Sequence, residues 1–168
     1  LMDRYPYSRF KLLAELRLGD SYLESERYPE AEAAYEDFVR LHPQNEAVPY
    51  ALYRLGLVYH SQMQTPDRDP TPAQKAQKTF KRLLEDFPKD EYAAKALPRL
   101  TEAQQNLAGH DLFVGKFYYR TKRYRAAAGR LRRVITQYPD VGLYNEAMRY
   151  LVLAKTKLST EGEVAQQD

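Results

Sequence analysis

The sequence predicts an all-α fold, a solenoid of helical hairpins, and three observations carry the prediction. Glycine is scarce, at 7 of 168 residues, while Ala, Leu, Arg, Lys and Glu abound, a composition that favours helix. Period-2 alternation bounded by hairpin turns is missing. An aromatic or histidine followed by proline recurs along the chain, among others as Tyr5-Pro6, His42-Pro43, Phe87-Pro88 and Tyr138-Pro139.

The four prolines stand 37, 45 and 51 residues apart, and a second marker removes the irregularity. Gly19 and Gly56 each lie 13 residues after the proline before them, whereas Gly115 lies 27 after Pro88. One unit of 37 residues, with insertions of 8 and 14, accounts for every spacing. Each unit then fits the tetratricopeptide (TPR) pattern of Leu-Gly, Tyr, Ala, an aromatic and a closing Pro. The first unit has Leu18-Gly19, Tyr22, Ala31, Tyr35 and Pro43; the second has Leu55-Gly56, Tyr59, Ala76, Phe80 and Pro88. The third has Val114-Gly115, Tyr118, Ala127, Leu131 and Pro139. Gly and Ala are small where paired helices approach closely, aromatics fill the space between helices, and the proline ends the second helix because it cannot continue one. The pattern's Trp position is occupied by Glu15, Leu52 and Asp111.

This register predicts about three and a half repeats in a single array over 1–158. Residues 1–6 read as the end of a preceding repeat; repeats follow at 8–43, 46–88 and 90–139, then the first helix of a last repeat at 143–158 and a disordered polar tail at 159–168. In the first repeat the helices span 8–25 and 29–41, with Pro29 in a first turn where its missing N–H costs nothing. The second repeat supplies helices at 46–62 and 72–86. Between them, "DRDPTP" (67–72) combines two parts. Thr71, Pro72 and Gln74 fit a capping box. Asp67, Arg68 and Asp69 belong to the insertion, which either closes on itself as an ion cluster or meets a partner. The third repeat opens with one long helix over 90–122, since 14 extra residues are close to four turns and keep its faces in phase. Such a helix is roughly 50 Å long, with Pro98 as a possible kink and Gly109 as a weak point. Its partner spans 124–137.

Composition excludes more functions than it suggests. With no Cys there is no disulfide framework, thiolate metal site or Cys nucleophile. A formal charge of +3 does not by itself imply nucleic acid. No apolar run approaches the roughly 18 residues of a membrane span. The chain opens abruptly at Leu1, within an element, so a fragment is expected, with any leader or anchor outside it. His42, His60 and His110 lie far apart with no carboxylate at ligand spacing along a helix, so neither metal nor cofactor is expected. No phosphate loop, nucleophile elbow or HExxH is present. The acids from Glu24 to Asp37 fit a solvated helix face. The chain reads as a binding scaffold, not an enzyme.

The first helices of the pairs line the inner face of such an array. In the first repeat they present Leu13, Leu16, Arg17, Asp20, Leu23 and Glu24, and in the second Tyr50, Tyr53, Arg54, Leu57, His60 and Ser61. The third presents Gly109, Leu112, Phe113, Lys116, Tyr119 and Arg120. Arg17, Asp20, Tyr50, Tyr53, Arg54, Phe113 and Tyr119 are the peptide-groove candidates, because aromatics mixed with Arg suit peptide recognition. Tyr50 and Tyr53 have an alternative use in packing on the next helix. A second candidate surface is a run of eight bases without an acid: Lys116, Arg120, Lys122, Arg123, Arg125, Arg130, Arg132 and Arg133. An acidic protein surface is the favoured partner over a merely solvated face. RNA is the lesser option, because no RNA-binding motif accompanies the charge.

Four stretches carry a family resemblance: "DRYPYS" at 3–8, "FVRLHP" at 38–43, "DRDPTP" at 67–72, and "HDLFVGKFYYRTKRYRAAAGRLRRVITQYPD" at 110–140. Together they resemble the BamD family, the tetratricopeptide lipoproteins of the bacterial β-barrel assembly (BAM) machinery, and the likeness covers about 1–158. The 110–140 stretch is similar to that family's fourth repeat throughout. The resemblance implies a non-catalytic scaffold at the periplasmic face of the outer membrane, held by an N-terminal lipid outside this sequence. It implies docking to the last POTRA domain of BamA through the C-terminal repeats. It leaves the N-terminal groove for accessory lipoproteins or unfolded outer-membrane protein segments. Arg130 falls where the family has an arginine, while Thr136 stands where it has a base; Arg132 and Arg133 lie one turn away. The competing reading is another periplasmic TPR adaptor, of the Tol–Pal or cell-division kind, which is not expected to carry DRDPTP and the 110–140 stretch together.

Overall fold

The computed structural model describes residues 6–164, all helix and connections, with side chains described over 10–160. Seven helices follow in order: α1 (Pro6–Glu24), α2 (Tyr28–Leu41), α3 (Val48–Ser61), α4 (Thr71–Asp86), α5 (Glu91–Arg120), α6 (Tyr124–Gln137) and α7 (Tyr144–Val164). α1 packs on α2 and α3 on α4 as TPR hairpins, while α2 packs on α3 and α6 on α7, in each case the second helix of one repeat against the first helix of the next. Among the described residues there is no strand.

The repeat markers have direct physical counterparts. A Cβ added at Gly19 would lie 2.9 Å from the Tyr35 ring; at Gly56 it would lie 2.2 Å from Phe80, and at Gly115 2.9 Å from Leu131. The glycine of each first helix is thus the floor on which the large residue of the second helix sits. Tyr35, Phe80 and Leu131 are fully buried, as are the alanines one turn before them, Ala31, Ala76 and Ala127. The aromatic–proline pairs end each second helix in one way. The N–H of His42, Phe87 and Tyr138 donates to the carbonyl of Phe38, Leu83 and Val134, at 2.9, 3.0 and 3.2 Å. The proline that follows keeps that residue out of the helical region.

The hairpin turns of the first and third repeats are also alike. Glu26 and Lys122 take left-handed φ values of 57° and 61°. The next residue closes the turn, Arg27 N–H to Tyr22 O and Arg123 N–H to Tyr118 O, both at 2.8 Å.

The helices cluster into two compact units. One holds the described residues up to Met63 together with Thr71–Ala103; the other holds Gln64–Pro70 and the described residues from Gln104 onward. α5 contributes to both and runs unbroken through Pro98 and Gly109. Pro98 removes the hydrogen bond to the Ala94 carbonyl, and Ala94 is exposed, so water can take the orphaned acceptor. Gln64–Pro70, which carries the insertion's Asp67, Arg68 and Asp69, belongs to the second unit. Asn106 Nδ2 donates to Gln64 O at 2.6 Å, and His110 Nδ1 to Pro66 O at 2.8 Å. Pro66 lies so close that a Cβ on Gly109 would meet it at 3.0 Å.

One boundary is corrected. The last helix continues six residues past Leu158, to Val164, where a tail was expected from 159. Its polar residues are compatible with an exposed helix, and Thr156, Ser159 and Thr160 return their hydroxyls to carbonyls one turn back. Residues 1–5 and 165–168, with the expected end of a preceding repeat and the last of the tail, lie outside the described residues.

The glycine contacts give a contrast that thermal or urea unfolding checks. Gly56→Ala drives a methyl into Phe80 and lowers stability by about 1–3 kcal/mol. Gly129→Ala, in α6 with nothing within 4 Å, raises it by roughly 0.5–1 kcal/mol.

Candidate functional site

In the first unit, most of the expected groove residues are occupied by one another. Asp20 on α1 is 6% exposed. Its Oδ1 accepts from Tyr35 Oη at 2.6 Å and Tyr50 Oη at 2.7 Å, and lies 3.0 Å from Arg54 Nε. Its Oδ2 lies 3.5 Å from an Arg17 guanidinium that is itself largely exposed. One carboxylate therefore joins α1, α2 and α3. Tyr50 and Tyr53 pack on Tyr92 of α5, with ring centroids 5.2 and 5.5 Å apart. Of this group, Arg17 alone is strongly exposed. A helical period identifies the face a residue occupies, but not that its neighbours will cover it.

The histidines are likewise engaged within their units. His42 Nε2 donates to Glu15 Oε2 at 3.0 Å, and His60 donates to Glu102. Burial tends to raise the Glu102 carboxyl, but hydrogen bonds from Arg99 and His60 outweigh it and hold the group below its ordinary value. Among the described residues no three His, Cys, Asp or Glu gather as a metal would need. No described helix is long and apolar enough to cross a membrane.

In the second unit, the basic run separates into two groups. Lys116, Arg130 and Arg133 are paired internally. Lys116 Nζ lies 2.7 Å from Glu146 Oε1 and 5.2 Å from the centre of the Tyr150 ring. Arg130 and Arg133 meet Asp111 Oδ1 and Oδ2 at 2.9 and 3.2 Å. Arg120, Lys122, Arg123, Arg125 and Arg132 are exposed, and none makes an ion pair with another described residue. The first repeat shows what is missing. There the equivalent turn arginine, Arg27, stacks on Tyr22 at 4.7 Å and binds Glu30 at 2.6 Å. Three residues after Arg123 stands Ala126, and α6 has no acid in its first turn. A cationic helix start opposes the helix dipole, so this placement costs stability.

Beside these bases, Phe113 and Phe117 are 45 and 47% exposed, one turn apart on α5. Gly109, Leu112, Phe113, Lys116 and Arg120 line a shallow depression there. Tyr119, the remaining groove candidate, is sandwiched between Tyr124 and Tyr150 at 5.6 and 5.7 Å. In the insertion, Asp67 lies 3.8 Å from Arg68, and a hydrogen bond with Thr65 holds its carboxyl below the ordinary value. Asp67, Arg68 and Asp69 are all exposed. The sequence signal for the paired half of the basic run was Asp111 itself, an acid in a position that usually holds an apolar filler.

The Asp20 cluster has two measurable consequences. Burial first, and the hydrogen bond to Asp20 second, push the Tyr50 phenol up to about 12. Burial likewise raises Tyr35 and Tyr59, the latter assisted by Glu32 and Glu36. Raised phenols stabilise the fold fully below the unfolded value near 10, and that stability is lost as pH climbs through the folded values. An ultraviolet titration should therefore show a late-ionising set of tyrosines, with unfolding following it. Asp20→Ala, which strands Tyr35 and Arg54, should lower stability by about 3 kcal/mol in urea unfolding.

Comparison with known proteins gives one consistent result. A protein-family model described as YfiO, outer membrane lipoprotein, matches residues 1–168. An outer membrane protein assembly factor BamD from Neisseria gonorrhoeae is 33% identical over 168 residues, covering 94% of this chain and 63% of the relative. A BamD from Vibrio cholerae is 31% identical over 150 residues, covering 83% and 62%, and one from Caulobacter vibrioides is 27% identical over 151, covering 90% and 50%. The chain thus spans less than two thirds of the length of these relatives. With its hairpins in the tetratricopeptide register and the family match running over its whole length, the chain belongs to the YfiO family of outer membrane lipoproteins.

Proposed function

We propose that this chain is a non-catalytic scaffold in outer-membrane protein assembly, working at the periplasmic face of the outer membrane and docking an acidic surface of BamA, its last POTRA domain. The family and the names of the relatives support the assembly role. The observation that carries the docking site is the set of exposed, internally unpaired bases around the α5–α6 turn, Arg120, Lys122, Arg123, Arg125 and Arg132. A solvated helix face normally mixes both signs and pairs them along the helix. Here the sequence omits the acid that quenches the matching turn in the first repeat. Uncompensated arginines suit carboxylate recognition, because each guanidinium offers a planar fork of donors. Exposed Phe113 and Phe117 supply an apolar strip beside them, fit for accessory lipoproteins or unfolded outer-membrane protein segments. A lipid anchor in the full-length protein would hold this surface near the membrane.

Charge reversal of Arg120, Arg123 and Arg125 to Glu tests the site. These side chains make no internal ion pair, so helicity by circular dichroism should be unchanged. Affinity for the periplasmic region of BamA should fall about tenfold or more, with a weaker salt dependence. Undiminished binding would overturn the docking site.

A further inference from the structure

Asp111 is the most deeply buried acid described in this chain, 2% exposed, and it replaces the apolar filler of the repeat pattern. The same position holds Glu15, partly exposed and paired with His42, in the first repeat and the buried Leu52 in the second. An acid there does not serve packing. Its desolvation is costly, and a hydrophobic residue of like volume is often neutral or better for stability. What Asp111 does is divide its two oxygens, one for Arg130 and one for Arg133, which lie one turn apart on α6. The two guanidinium side chains cover the acid, yet keep 37 and 46% of their own surface. Each contact uses one terminal nitrogen, Nη1 of Arg130 and Nη2 of Arg133, so most donors of both forks stay uncommitted. One buried negative charge against two positive ones leaves a net positive site whose side chains are fixed in place.

We infer that Asp111 is a positioning residue for the basic docking surface. It holds Arg130 and Arg133 beside the free Arg132, so that a partner carboxylate meets guanidinium groups that have already lost their rotamer freedom. Two ordered arginines bind an acidic partner better than two mobile ones because less conformational entropy is lost on contact. This rests on the docking site proposed above and adds the residue that organises it.

The test compares Asp111→Asn, Asp111→Leu and Asp111→Glu in the full chain, measuring affinity for the BamA periplasmic region and thermal stability together. Asp111→Leu restores the pattern's apolar filler. The expected result is that Leu keeps or raises the melting temperature while binding falls about tenfold. Asn loses binding similarly, and Glu recovers it at least in part. A purely structural acid gives the opposite: Leu or Asn binds normally at temperatures where it is folded. If Asp111→Leu binds normally while the triple reversal of Arg120, Arg123 and Arg125 does not, the positioning role fails and the docking site stands. If the triple reversal also binds normally, the docking site itself is wrong.

Discussion

The contact on which the fold depends is the seat that a glycine in the first helix of each hairpin offers to a large residue of the second. Side chains at Gly19, Gly56 and Gly115 would occupy the space of Tyr35, Phe80 and Leu131. Interiors at crystal-like density do not yield an ångström without loss elsewhere, so this approach distance sets the pairing of every hairpin. Everything polar is then fitted around it. Tyr35 presses its ring on Gly19 and sends its hydroxyl to Asp20, so one residue carries both the shape match within a hairpin and the polar tie to α3.

The two units use buried carboxylates differently. Asp20 Oδ1 is surrounded by two phenols and an arginine that is 20% exposed, with the exposed Arg17 only at 3.5 Å from Oδ2. Its network faces inward and locks three helices. Asp111 is covered by arginines that remain half in solvent, and its network ends at the surface. Neutralisation in the first repeat and its omission in the third follow the same division. The turn arginine is quenched beside the inward-facing network and left bare on the surface proposed for docking.

Much of this was legible in the sequence, for a physical reason. Register markers are local consequences of close helix packing, so Gly, Ala and the aromatic–proline ends reported the hairpins and both insertions. α6 matched its expected 124–137 span to the residue. What was not legible were choices of partner across the chain. His60 finds Glu102 across 42 residues and Tyr50 finds Asp20 across 30, and no period encodes such meetings. Tyr50 and Tyr53 pack on Tyr92 of a later helix for that reason, while Arg17 and Phe113 stay exposed. The charge of the basic run was countable in advance. Its division into committed and free arginines required knowing where one acid, 19 residues from Arg130, would be buried.

The seating of Pro66 against Gly109, with Gln64 and Pro66 carbonyls capped by Asn106 and His110, links the two places where the chain departs from the repeat length. The longer loop and the longer helix are therefore a single structural module. A lineage that trimmed the loop would strand Asn106 and His110, and one that gave Gly109 a side chain would press it against Pro66. Gain or loss of either has to be accompanied by change in the other, so the pair should pass through evolution together, as a marker of descent more durable than any one residue within it.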